Sequence, residues 1–171
     1  MTADFTSRRG DPARDLDVGA VRWPPAASPF LGMGAVGVVG GGLVAAVTRP
    51  LGWDHGAWAA AFLVLVVGVG QVVLGSGQAM LAAAPLPRRT VLTEAVLWNG
   101  GAAWVVAGTA AGVPLAVTIG GALLLVPLVL FASVPMTTAA AGRWWRRTHH
   151  AVIVVLLVST PVGLVLAWQR P

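Results

Sequence analysis

Polar and charged positions in this chain gather in short clusters, and between them run long apolar stretches. A helix needs about 20 mostly apolar residues to cross a hydrocarbon core of ~30 Å. Five stretches satisfy that length: residues 30–48, 57–83, 91–111, 113–134 and 151–168. The third and fourth are joined almost directly, with Gly112, Val113 and Pro114 as the turn signal between them. Each is long enough to cross by itself, so they read as two helices. The pattern predicts an all-α integral membrane bundle of five transmembrane helices. Residues 1–29 are polar, end in Pro24, Pro25 and Pro29, and read as a flexible cytoplasmic tail, leaving 30–169 as the membrane domain.

Composition supports this class. Of 171 residues, 57% are hydrophobic and 10% charged, and the mean hydropathy is +0.81. A water-soluble domain carries about 25% charged residues, so this inventory excludes an ordinary soluble domain or a disordered chain. The net charge of +5 and the pI near 11.8 would point a soluble protein toward anions. Here the charge is first a matter of orientation. With the N-terminus inside, Arg8, Arg9, Arg14, Arg22, Arg88, Arg89, Arg143, Arg146 and Arg147 are cytoplasmic, and Arg49 and Arg170 lie outside. An even number of spans would move Arg143, Arg146 and Arg147 outside, so the arginines favour five helices with the C-terminus outside. A nucleic-acid partner is therefore not expected. The chain has no Cys, which excludes disulfides, iron–sulfur clusters and thiolate zinc sites. Arg8 and Arg9 echo a twin-arginine signal, but the apolar run starts some twenty residues later, and the first helix reads as an uncleaved anchor.

Trp23, Trp144 and Trp145 fall at the expected inner boundary and Trp53, Trp58 and Trp168 at the outer one, where indoles prefer the headgroup layer. Trp98 and Trp104 lie inside a span. On the first helix Gly37, Gly41 and Ala45 repeat every four residues and predict close packing against another helix, in this chain or in a partner. Ala103, Ala107 and Ala111 form a similar row on the third. Pro127 and Pro161 interrupt the fourth and fifth helices, and Ser159 and Thr160 stand ready to satisfy the carbonyl freed by Pro161.

Polar residues within the spans are few, and they form the candidate site: Gln71 and Gln78, Glu94 and Asn99, Ser159 and Thr160. Gln71 and Gln78 are a heptad apart and share a face that must look into the bundle. Gln71 with Asn99, and Gln78 with Glu94, are nearly equidistant from the turn at Pro85 and Leu86, so an antiparallel hairpin sets each pair at one depth. Glu94 and Asn99 diverge by about 140° around their helix, which predicts that one pair at most is direct. Glu94 lies near the boundary and is expected to pair with Arg88 or Arg89. Interhelical hydrogen bonding is the first expectation for the whole set, and a cytoplasm-facing pocket of Gln71, Glu94, Asn99 and Ser159 is the second.

His55 sits at the outer end of the second helix, while His149 and His150 start the fifth, roughly 30 Å away across the bilayer. They read as interfacial side chains, and neither a cofactor nor a metal is expected. No spaced catalytic set is visible. Arg143, Trp144, Trp145, Arg146 and Arg147 form a candidate contact for anionic lipid headgroups. The expected role is a non-enzymatic accessory or scaffold subunit in a bacterial inner membrane, in contact with another membrane subunit or with itself. The alternative is a small homo-oligomeric transporter or channel using the polar residues of helices two, three and five.

Overall fold

The computed structural model describes residues 23–136 and 142–169, and these are helical with no strand among them. A single 3-10 turn, Pro25–Ala27, leads into α1 (Ser28–Thr48). The helix α2 (Gly56–Leu81) contains a π-helical stretch at Leu63–Gly70. Then follow α3 (Arg88–Ala110), α4 (Pro114–Ser133) and α5 (Gly142–Gln169). Of the tail expected over residues 1–29, residues 1–22 lie outside the described part, while Ala27 is fully buried.

Local chemistry explains where the helices stop. At the α1–α2 turn the backbone reverses through Gly52 at φ 59°, and Trp53 N–H donates to the Thr48 carbonyl at 3.1 Å. At the α3–α4 turn Gly112 takes φ 66°, Val113 N–H donates to the Gly108 carbonyl at 2.8 Å, and Pro114 begins the next helix, where its missing N–H costs nothing. Successive helices therefore run in opposite directions. One end of the bundle holds Pro25, the α2–α3 turn and the start of α5, and there Ala83 N–H donates to the Pro135 carbonyl at 2.9 Å. Arg88, Arg89, Arg143, Arg146 and Arg147 lie at this basic end, and Arg49 at the other.

Close helix contacts depend on missing side chains. The buried face of α1 is Gly34, Gly37 and Gly41, and it meets α2 of the same chain. A Cβ on Gly37 would lie 2.9 Å from the Gly68 nitrogen, and one on Gly41 would lie 2.8 Å from the Ala60 carbonyl oxygen. Gly34 continues this face; Ala45, expected to do so, is exposed. The row Ala103, Ala107 and Ala111 is exposed as well. Instead α3 meets α4 through Gly101, Gly108 and Gly120, where a Cβ on Gly120 would stand 2.6 Å from the Gly101 carbonyl oxygen. Glycine prevails over alanine here because each of these contacts is backbone to backbone.

The core centres on Phe131, whose ring meets Phe30 edge-on at 5.6 Å and Trp98 at 6.0 Å. Leu74, Leu128 and Ile153 close around it. The surface is apolar as well as the core: Val36, Leu43, Val155 and Val158 are each more than 60% exposed, while Gln71, Gln78, Glu94 and His149, at 0%, lie in an otherwise apolar interior. Four helices, α1, α2, α4 and α5, are long and apolar enough to cross a membrane. The 23 residues of α3 are also long enough, but Arg88, Arg89, Glu94 and Asn99 reduce its apolarity.

Candidate polar site inside the bundle

Gln71 and Gln78 lie on the α2 face turned toward α3, both with no exposed surface. Asn99 Nδ2 donates to Gln71 Oε1 at 3.0 Å and to the Ala95 carbonyl at 2.8 Å, and Gln71 Nε2 donates back to Asn99 Oδ1 at 3.4 Å. Two turns nearer the basic end, Gln78 Nε2 donates to both carboxylate oxygens of Glu94, at 3.2 and 3.1 Å. The hairpin thus brings both equal-depth pairs into contact, although the angular argument allowed only one. The reason is the spacing of the helices. The backbones of α2 and α3 approach each other far less closely than those of α3 and α4, so long side chains fill the gap. Asn99 is also held back along α3 by its bond to the Ala95 carbonyl.

The ion pair expected between Glu94 and Arg88 or Arg89 does not form. Side chains three or four apart are neighbours on a helix, and these arginines stand six and five positions before Glu94. They point outward and are exposed, whereas Glu94 points in toward Gln78.

Ser159 and Thr160 are not part of this site. They lie in the opposite half of α5, on a separate cavity. Their hydroxyls donate to the Leu156 carbonyl at 3.3 and 2.7 Å, not to the Leu157 carbonyl that Pro161 leaves without its amide. A pocket shared by Ser159 with Gln71, Asn99 and Glu94 is therefore not present among the described residues.

The most consequential residue that sequence reasoning placed elsewhere is His149. It is fully buried, and its ring fits against Gly77, where a Cβ would stand 2.7 Å from Nδ1. Among the described residues neither ring nitrogen makes a hydrogen bond of full geometry, the backbone of Phe131 and Val73 lying nearest, and Gln78 Oε1 and Trp98 Nε1 are likewise buried without a partner. The signal was available: His149, Ile153, Leu156 and Thr160 recur at helical spacing and form the less exposed stripe of α5. His55 and His150, in contrast, are exposed. Among the described residues no three His, Asp or Glu side chains gather as metal ligands would.

Arg143, Trp144, Trp145, Arg146 and Arg147 belong to the first turns of α5, which begins well before residue 151. Trp144 is 71% exposed and its ring meets that of Trp145 at 5.8 Å. No acidic residue lies in the first turn of α3 or of α5, so the positive ends of two helix dipoles add to the arginines.

No family model, curated protein or solved structure matches the chain.

Proposed function

We propose that this chain is a non-enzymatic membrane protein of five spans in a bacterial inner membrane, with its N-terminus cytoplasmic and its C-terminus outside, acting as an accessory or scaffold subunit. The observation that carries this reading is the apolar surface: the outward faces of α1 and α5 are Val and Leu, while amide and carboxyl groups lie paired inside. Hydrocarbon, not water, suits such a surface. Inclusion of α3 as a span is supported by the direction of its polar groups, since Gln71 and Gln78 satisfy Asn99 and Glu94 without help from solvent. The orientation is supported by the five described arginines at the basic end against Arg49 at the other. Arg143, Trp144, Arg146 and Arg147 then meet the anionic headgroups of the inner leaflet.

The subunit role rests on how the interior polar groups engage each other and hold two helices together, while α1 presents a broad apolar face. A second reading, a small homo-oligomeric transporter or channel, draws on the buried atoms at His149, Gln78 and Trp98 that have no hydrogen-bond partner among the described residues. Affinity purification in mild detergent separates the two. A stoichiometric second membrane protein is the expected outcome; a pure homo-oligomer that supports solute flux in liposomes would replace it with the second reading.

A further inference from the structure

A cavity of about 720 Å³ opens between α2, α3, α4 and α5 in the half of the bundle away from the basic end. Val66, Leu124 and Leu156 wall its deep end, and His55, Thr109 and Gly112 form its rim. Along α5 it runs from Leu156 to Ala167, roughly 16 Å at 1.5 Å per residue, which is about half of a ~30 Å hydrocarbon core. Two departures from regular helix border it. The π-helical stretch Leu63–Gly70 of α2 contributes Val66, and Pro161 interrupts α5 between Thr160 and Gly163. π turns are rare and gather at functional sites. The first half of α5 packs on the Gln71–Leu81 half of α2. Its far end is drawn to α4, where Trp168 Nε1 donates to Thr118 Oγ1 at 2.9 Å. The gap between α2 and α5 is the cavity.

Water is a poor occupant of the deep part. The hydroxyls of Ser159 and Thr160 already donate to Leu156, and the other side chains there, such as Phe62, Val66, Leu124 and Leu164, are apolar, whereas a buried water needs two to four polar partners. The volume falls within the range of sites for small organic ligands. Gly163 keeps one wall open, for nothing lies within 4 Å of where its Cβ would be.

We propose that this cavity binds one hydrocarbon chain of a lipid drawn from the adjacent leaflet, with the polar head held at the rim by His55 and Thr109. The site is one leaflet deep, apolar below and polar above, and Trp58 beside His55 stands where indoles meet headgroups. This inference rests on the membrane reading.

The test uses the full chain in phosphatidylcholine vesicles with palmitic acid carrying a mid-chain diazirine. Photolabelling is expected at Val66, Leu124 and Leu156, suppressed by excess unlabelled palmitate. Gly163→Phe fills the cavity and should abolish that labelling, as should Val66→Phe from the facing wall if the first variant fails to fold. Gly40→Phe, which extends into open space on α1, should leave it intact. Labelling confined to outward residues such as Val155 and Val158, or unaffected by competitor and by a folded filling variant, would overturn the proposal while the membrane reading stands. A chain that stays in the aqueous fraction overturns both.

Discussion

Gln78 and Glu94 show how a single pair determines the cost of a substitution. Replacing Gln78 by Leu leaves the Glu94 carboxyl buried and unpaired, a loss of about 1–3 kcal/mol. Replacing both by Leu removes donor and acceptor together. Thermal melts in detergent should therefore show Gln78→Leu clearly destabilised and the double variant close to the parent; equal losses would mean that the pair is not coupled. His149 gives a second residue-scale prediction. A methyl group at position 77 collides with the imidazole, so Gly77→Ala should lower stability by about 1–3 kcal/mol, and His149→Ala in that background should recover part of it. If His149→Ala makes the loss larger, the ring does not occupy the slot beside Gly77. The heptad of Gln71 and Gln78 made their burial legible in the sequence. The burial of His149 was less legible, because basic neighbours at Arg146 and Arg147 outweighed the stripe it shares with Ile153 and Leu156.

At the level of helices, α3 and α4 are joined by glycine backbone contacts. Gly120→Ala should impair folding, since its Cβ would stand 2.6 Å from the Gly101 carbonyl oxygen, whereas Gly100→Ala, facing open space, should be neutral or mildly stabilising through helix propensity. Expression and gel filtration of the two variants decide; equal tolerance would show that the helices do not touch there. The hairpin of α2 and α3 can be tested covalently in this Cys-free chain. Cysteines at 71 and 99 should be joined by a short bifunctional reagent, and cysteines at 71 and 104 should not, because Trp104 faces outward. Helix number and direction were legible from apolar runs and turn residues. The start of α5 was not, because Arg143 to His150 resemble a loop in composition while continuing the helix.

For the whole molecule, the proposed topology predicts opposite locations for the termini. A reporter active only in the cytoplasm should give signal when fused ahead of Met1 and none when fused after Pro171; signal at both ends would require an even number of crossings. The arrangement of exposed and buried residues bears on the same question. A surface of Val and Leu over a core that also shelters Gln, Glu and His is unfavourable in water and favourable in hydrocarbon.

The sequence alone determined the helices, their alternating direction and the short inventory of polar residues among them. These follow from apolarity and turn chemistry, which act over a few residues. Only the tertiary structure decided which face of each helix meets which neighbour: Gly34 in place of Ala45, Gly101 and Gly108 in place of the alanine row, and both polar pairs of the α2–α3 hairpin in place of one. It also carried His149 inward and moved Ser159 and Thr160 to a separate cavity. A helix in apolar surroundings has no strongly polar side to reveal its orientation, as the nearly uniform apolarity of α1 and α4 shows. Its rotation is set by where backbones can approach, and that depends on all five helices at once.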